Sequence, residues 1–437
     1  MQPIRILTAN IDKPNSTSID VYLEGGGYEM ARKALTTMKP EEITQVVKDS
    51  ELRGRGGAGF PTGMKWSFVP KNAPRPTYLL CNADESEPGT FKDRVIIEKD
   101  PHLLIESMII AAYAIGSCPM SYIYIRGEFH YGAMVLEKAL AEARERGFLG
   151  RNLFGSGFDF DITVARGAGA YICGEETGLI ESVEGHRGQP RVKPPFPAVV
   201  GVFGGPTVVQ NVETLACVPF IIRHGAEWFK SFGSPKNTGP KLYCVSGSVR
   251  KPGVYEFPMG VNLKELIYEH CGGITGDRKL KAVIPGGASA PMLTADEIDL
   301  PLNFDAVMKA GSMLGSAGII VIDESVCIVE AVWRLAKFFA HESCGQCTPC
   351  REGTHWIESV LDRIERGEGR PQDADLLLDM ADNIGGKSLC ALGDAAIGPV
   401  VSSVRKFRDE FLHHVTHRSC LPGTVRYRRL RAGAVAH

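Results

Sequence analysis

The sequence predicts a mixed chain in three parts: a parallel α/β unit, a small α+β unit and an all-α helical bundle carrying clustered cysteines. Three observations predict it. Between residues 77 and 175 apolar strand-like runs alternate with helical stretches, the pattern of a parallel sheet flanked by helices. Near residue 240 the register changes, and short strands surround one helical segment. From Cys327 onwards the apolar residues Ile328, Val332, Leu335 and Phe339 recur at helical spacing, which predicts a bundle.

The elements follow in order. Residues 1–40 read as peripheral, and Glu41–Lys48 as a short helix after Pro40, leading into the loop "LRGRGGAGFPTG". Thr77–Asn82 reads as a buried strand that ends in the polar loop "ADESEPGTFKDR", Leu103–Ile115 as a buried helix and Ser121–Ile125 as a strand. His130–Arg146 is an amphipathic helix with Val135, Ala139 and Ala143 on one face and Gly147 as its C-cap. Phe160–Ala165 alternates as a strand, a Gly-rich turn follows, and a helix starts near Glu175. In the second part Lys241–Ser246 and Gly253–Glu256 read as paired strands. Asn262 to Glu265 resembles a capping box that opens a helix closed by Gly272 and Gly273. With the strand Gly318–Ile322 this makes a β-grasp-like α+β unit. Ile357–Arg366, Ala374–Asn383 and Ala396–His413 add three helices to the bundle. The expected domains are 1–240, 241–326 and 327–415, with a solvated basic tail over 416–437 carrying Arg418, Arg426, Arg428, Arg429 and Arg431.

Bulk properties narrow the function classes. The 437 residues are 44% hydrophobic and 23% charged, with a formal net charge of −2, so no basic footprint for nucleic acid exists. The most apolar stretch, Leu103–Ile115, is too short to span a bilayer and contains Glu106. The N-terminus has neither an apolar leader nor an Arg-rich presequence. The expectation is a soluble protein on the cytosolic side of a membrane, touching it only through partner subunits. Its 12 cysteines then sit in a reducing compartment, where clustered thiols point to metal.

"ESCGQCTPCREG" places Cys344, Cys347 and Cys350 at three-residue intervals. Zinc usually takes two separated pairs of cysteines, whereas three thiolates in one run suit three corners of a 4Fe–4S cluster. Cys390, after two glycines in "GGKSLCALGD", is the best fourth ligand. Cys327 competes but lies on an apolar helical face, and Cys420 lies in the tail. Structural zinc and unligated core thiols are the alternatives. The other cysteines read as packing.

Two glycine-rich loops point to a nucleotide-like ligand. Gly54, Gly56 and Gly59 in "GRGGAGF" match the dinucleotide spacing but lack the preceding strand it needs. The loop still exposes many backbone N–H groups, which suits an anionic or planar ligand. "ARGAGAYICGEET" has the better context, with a strand before and a helix after. Gly167, Gly169 and Gly174 allow close approach there, and Arg166 adds charge. Asn82, Asp84 and Glu85 follow directly after a strand, where open α/β sheets bind ligands. Their bland reading is a solvated turn. A hydride-accepting nucleotide site and a one-electron cluster need a converter between electron pairs and single electrons, and flavin is one.

At this point "GRGGAGFPTG", "CNADESEPG", "GAGAYICGEET", "KPPFPA", "NVETL" and "ESCGQCTPCREG" together resemble the flavoprotein (51 kDa-type, F) subunit of respiratory NADH:quinone oxidoreductase, complex I, over roughly residues 20–415. The resemblance implies a Rossmann-like FMN domain, a ubiquitin-like domain and a helical bundle with a 4Fe–4S cluster. It implies that FMN is held by Gly54, Gly56, Gly57, Lys65, Asn82, Asp84, Glu85, Tyr171, Gly174, Glu175, Asn211 and Thr214. Gln210 stands where the family has a first Asn, one methylene longer. Gly178 stands where Ala is usual, at about 1 kcal/mol of helix propensity. NADH would meet the aromatic residues Phe60, Phe68 and Phe196 and the polar residues Glu87, Glu176 and Lys193; without the resemblance the three phenylalanines read as core. The cluster ligands would be Cys344, Cys347, Cys350 and Cys390. The implied activity is NADH oxidation by hydride transfer to FMN, with electrons leaving singly towards quinone. The implied partners are NADH, a 2Fe–2S thioredoxin-like subunit and a large iron–sulfur subunit. No protein acid, base or nucleophile is implied; Glu87 and Glu176 would orient NADH and disfavour tight NAD+ phosphate binding through negative charge. One rival is the diaphorase component of an NAD-linked hydrogenase or formate dehydrogenase. Another is a non-catalytic iron–sulfur or nucleic-acid-binding protein, which the missing basic face and the two loops disfavour.

Overall fold

A computed structural model describes residues 1–424. Four strands form a parallel sheet: β1 (Tyr78–Ala83), β2 (Met120–Ile125), β3 (Asp161–Arg166) and β4 (Thr207–Asn211), in the order β3-β2-β1-β4. The chain steps outward from β1 to β3, then returns to pair β4 on the other side of β1. That reversal opens a crevice at the carboxyl ends of β1 and β4, the usual ligand position in such sheets. Register sets Asn82 directly beside Asn211 there.

The helix Pro101–Ile115 is buried on nearly every face, including Glu106 at 1% exposure. Glu106 survives there because its carboxylate accepts the N–H groups of Met30 and Ala31, at 2.9 and 3.0 Å, and the Tyr22 hydroxyl. The expectation that residues 1–40 are peripheral is corrected accordingly. Helices Ile19–Glu24 and Glu29–Thr37 put Tyr22, Tyr28, Ala31, Ala34 and Leu35 into the main core, together with Leu7. The predicted helix after Pro40 spans Pro40–Asp49, and that at 130 spans His130–Glu145.

A five-stranded mixed sheet forms the second part, in the order Leu293–Thr294, Leu280–Ile284, Gly318–Asp323, Pro240–Gly247, Gly253–Pro258. The expected pair at 241 and 253 is antiparallel. Asn262 caps a helical turn by accepting from the N–H groups of Lys264 and Glu265, and Gly272 and Gly273 close it at φ +74° and +81°.

Helices Ile328–Glu342, Thr348–Glu365, Asp373–Ile384, Leu392–Lys406 and Arg408–His417 make up the third part. The helix expected over Ala396–His413 is two helices. Phe407 leaves helical geometry at φ −125°, ψ 32°, and the chain turns there. The expected tail from 416 begins inside the last helix, which runs to His417, and Arg418 is left-handed after it. Arg426, Arg428, Arg429 and Arg431 lie outside the described residues.

Candidate functional site: a cavity beside a four-cysteine pocket

A cavity of about 530 Å³ opens at the carboxyl ends of β1 and β4, within the range of small-molecule sites. Ten residues singled out in the sequence line it: Gly56, Gly57, Asn82, Asp84, Glu85, Glu87, Tyr171, Gly174, Glu175 and Asn211. The first Gly loop reaches it irregularly, between the helices Pro40–Asp49 and Thr62–Ser67, as the missing strand signal predicts. Gly57 takes φ +141°, and a Cβ there would meet nothing within 4 Å, so its backbone faces open space. Gly56 lies against Asn211, whose Cβ a side chain would approach to 3.1 Å.

The post-strand residues hold one another. Asn82 donates to the carbonyl of Gly174 at 2.9 Å and accepts from the N–H of Asp84 at 3.0 Å. Asp84 accepts from the Ser86 hydroxyl at 2.6 Å, and burial at the cavity wall pushes its carboxyl up to about 7. The Glu85 carboxylate is committed elsewhere. It accepts the N–H groups of Lys92, Asp93 and Arg94, at 2.7, 2.7 and 3.0 Å, and so closes the start of helix Asp93–Lys99. Glu87 accepts from the Tyr171 hydroxyl at 2.5 Å and from the N–H and hydroxyl of Ser289, at 2.7 and 2.6 Å. It therefore ties the second part of the chain to the first.

Other expected residues stand off the lining. Thr214 is buried behind the Gly loop, its hydroxyl accepting the N–H of Arg55 at 2.8 Å. Gly54 donates its N–H to the carbonyl of Phe60 at 2.9 Å, closing the base of that loop. Lys65 reaches Glu176 at 2.8 Å and the carbonyl of Val209 at 2.9 Å. Lys193 joins Glu175 at 2.7 Å and Glu176 at 3.4 Å. Burial would raise the Glu176 carboxyl, but the two lysines outweigh it and hold it below its ordinary value. Lys65 and Lys193 thus offset the charge of Glu176, one of the two carboxylates expected to supply a negative field; the other, Glu87, is hydrogen-bonded to Tyr171 and Ser289. Phe60 and Phe68 are exposed with ring centroids 6.0 Å apart, and Phe196 is exposed separately. Gln210 faces away, buried in β4 beside Cys81, and its Nε2 has no hydrogen-bond partner among the described residues. Arg166 does not serve the cavity: its guanidinium pairs with Glu137 at 2.9 Å.

Three contributions lie outside the expected set. Lys92 and Asp93 line the cavity. The fully buried Lys92 ammonium pairs with Asp93 at 2.7 Å and Glu213 at 2.9 Å. Burial alone would lower its pKa, but Asp93 and Glu213 outweigh that and raise it. Glu213 in turn pairs with Lys241 at 2.7 Å. Burial pushes the Lys241 ammonium down to about 8. The second part supplies Gly286, Ser289, Gly315 and Ser316, and the bundle supplies Asp394, Ala395 and Gly398. Gly-rich runs at 285–290 and 311–318 are the available signal for the second group.

Cys344, Cys347, Cys350 and Cys390 line one pocket with Ile172, Ser343, Gln346, Leu389 and Leu392. Helix ends place them: Cys347 precedes helix Thr348–Glu365, and Cys390 precedes Leu392–Lys406. The N–H of Leu389 points at the Cys347 sulfur at 3.4 Å, and the Ser343 hydroxyl lies 3.2 Å from that of Cys350. Positive helix ends and such donors favour a negatively charged cluster. Ile172 and Leu392 line both this pocket and the cavity. Tyr171, on the cavity side, packs its ring against Phe338 at 5.2 Å and donates its N–H to Glu342 at 2.9 Å, both on the helix that precedes the cysteine run.

The chain is similar to known proteins along its whole length. Residues 47–220 match a family model described as the Nuo51 FMN-binding domain, residues 241–321 an SLBB domain, and residues 330–414 the NADH-ubiquinone oxidoreductase-F iron-sulfur binding region. Among solved structures, a chain of an NAD+-reducing [NiFe]-hydrogenase superimposes with a TM-score of 0.82 at 38% identity, covering 100% of this chain and 71% of that one. The F subunit of NADH-quinone oxidoreductase from Mycobacterium bovis is 51% identical, covering 95% of this chain and 94% of its own. The F 2 subunit of NADH-quinone oxidoreductase from Rhizobium meliloti is 55% identical over 415 residues, 95% of this chain and 98% of its own. With identity at this level over nearly the full length of both chains, the protein belongs to the family of NADH-quinone oxidoreductase F subunits.

Proposed function

We propose that this chain is the NADH-oxidising flavoprotein component of a respiratory NADH:quinone oxidoreductase, holding FMN in the cavity and a 4Fe–4S cluster on its four cysteines. One observation carries the reading: cavity and cysteine pocket share Ile172 and Leu392 as common walls. Such an arrangement separates two redox groups by about one layer of side chains. When bound, FMN supplies hydride acceptance and release of single electrons, and the cluster supplies one-electron carriage.

The residues present fit both groups. The open backbone at Gly57 suits a planar, anionic ligand, and the buried ammonium of Lys92 fixes Asp93 and Glu213 behind it. Asn82, Asp84 and Asn211 offer polar groups at the sheet edge, and Tyr171, Gly174 and Glu175 form the facing wall. Gly54 and Thr214 set the loop, and Lys65 steadies Glu176. NADH then meets the rim at Phe60, Phe68 and Phe196, with Glu87, Glu176 and Lys193 orienting it. These side chains bind and orient rather than move protons, because holding donor and acceptor close supplies most of the acceleration in hydride transfer.

Leu389, a wall of the cysteine pocket, is 36% exposed. A cluster held there would lie near the surface, which suits transfer to a partner 2Fe–2S subunit and a large iron–sulfur subunit. Among the described residues no helix is long and apolar enough to cross a membrane, and we assign membrane attachment, on the cytoplasmic side, to partner subunits. A hydrogenase diaphorase shares this chemistry, and the structural likeness supports it. The 55% identity to a quinone-reductase relative against 38% to the hydrogenase chain favours the respiratory assembly.

The test uses the chain purified anaerobically with its cofactors. NADH is expected to bleach a flavin absorbance, to drive ferricyanide reduction, and to do so with FMN as the extractable flavin. Protein that carries iron but no flavin, or flavin that NADH leaves oxidised, refutes the reading.

A further inference from the structure

We propose that Cys327, Glu365, His414 and Cys420 form a second metal site, separate from the four-cysteine pocket, for one zinc-class divalent ion. Their ligand atoms all lie within 4.8 Å of one another. The Cys327 sulfur is 3.1 Å from Nε2 of His414 and 4.0 Å from Oε1 of Glu365, and that oxygen is 3.7 Å from Nδ1 of His414. A tetrahedral ion with metal–sulfur bonds of about 2.3 Å and metal–nitrogen or –oxygen bonds of about 2.0–2.2 Å spaces its ligands by roughly 3.3–3.8 Å. An ion takes one ring nitrogen of His414, so to reach that arrangement the four ligand atoms close in from separations of up to 4.8 Å.

The surroundings agree. Cys327, Glu365 and His414 are 1%, 3% and 0% exposed, and Cys420 is half-buried. They sit within an apolar cluster that includes Ile328, Leu361, Ile364 and Phe411. Burying a carboxylate, an imidazole and two thiols together in such a cluster is costly unless they are mutually compensated, and a dication compensates them. Two sulfurs, one nitrogen and one oxygen favour a borderline-soft ion; magnesium and calcium want oxygen donors. Both thiols release their protons to solvent on binding.

The placement gives the ion a structural role. Cys327 precedes helix Ile328–Glu342, Glu365 ends helix Thr348–Glu365, His414 lies in Arg408–His417, and Cys420 follows that helix. Four protein ligands leave no open position, the mark of a structural rather than a catalytic zinc. The ion would fasten three helices and the segment after them, holding the far end of the helix Thr348–Glu365 that begins at the cluster cysteines Cys347 and Cys350.

Metal analysis of the cofactor-loaded chain, purified after growth with added zinc, is the test. The expected result is one zinc per chain beyond the cluster iron. Zinc-edge X-ray absorption is expected to show two sulfurs near about 2.3 Å and two lighter ligands near about 2.0 Å. Cys420→Ala and His414→Gln are expected to lose the zinc while keeping iron and flavin at wild-type ratios. The loop variant carries the test if Cys327→Ser does not fold. Zinc below a tenth per chain overturns the site. So does a four-sulfur zinc signal, which would come from the cluster pocket, or a Cys327–Cys420 disulfide in the zinc-grown protein. Iron and flavin are read separately, so a failure here leaves the redox assignment standing.

Discussion

Lys92 sits with its ammonium between the carboxylates of Asp93 and Glu213 at the cavity wall, fully buried. Replacing it by Met leaves Glu213 with Lys241 but leaves buried Asp93 without a cation, and losing one partner of a buried pair costs about 3–5 kcal/mol. Lys92→Met is expected to lower thermal stability by that order and to release flavin during purification, read by absorbance. Asp84 makes a pH statement. Its carboxyl rises from 3.8 to about 7 in the folded chain because burial disfavours the charged form. Between those values the unfolded chain has lost a proton that the folded chain keeps, so this group makes stability fall as pH rises. The difference is at most about 4 kcal/mol. In the flavin-free chain, Asp84→Asn is expected to lose less stability than wild type between about pH 4 and pH 7, measured by urea melts of both. A variant with the wild-type slope would show that Asp84 titrates normally. At this scale the sequence disclosed the cysteine run, whose three thiols are local, and the acids after β1. It hid Lys92, because a lysine in "FKDR" reads as a solvated turn and only the fold shows it enclosed.

Among the elements, those with a strong period or a clean apolar run were legible: β1, the helix Pro101–Ile115, the amphipathic helix from His130 and the pair at 241 and 253. The N-terminal helices were not, because polar residues outnumber the few that point inward. They are anchored instead by one buried acid on another helix. Glu106 accepts the N–H groups of Met30 and Ala31 and the Tyr22 hydroxyl. Removing it strands three donors, each worth about 1–3 kcal/mol if left unsatisfied and buried. Glu106→Ala is expected to speed amide exchange across residues 19–37 while exchange in Ile328–Glu342 stays slow. Equal acceleration in both segments would mean that the acid supports the whole fold rather than this docking. The break at Phe407 is hidden for a different reason: the apolar period continues across it, and only the dihedrals show the turn.

At the scale of the whole molecule, the cavity belongs to all three parts of the chain, and this was the least legible feature. Loop motifs reveal what a segment offers, whereas closure depends on which segments meet. The meeting is fixed at Glu87, whose carboxylate holds Tyr171 on one side and Ser289 on the other. Gly287 makes that contact possible: it takes φ +95°, and a Cβ there would lie 2.5 Å from Cγ of Glu87. A β-branched residue meets both obstacles at once, an unfavourable backbone region and a steric collision with a side chain that cannot withdraw without surrendering its partners. Gly287→Val is therefore expected to push the loop at 286–289 away from the cavity and to lose flavin. Cys344, Cys347 and Cys350 hang on helices outside this loop, which touches the helix after Cys390, at Gly398, so iron content is expected to fall less than flavin. Flavin and iron measured on the same preparation check this. Loss of both together would mean that the parts of this chain do not fold apart from their shared cavity, and retention of both would mean that the second part only covers the site.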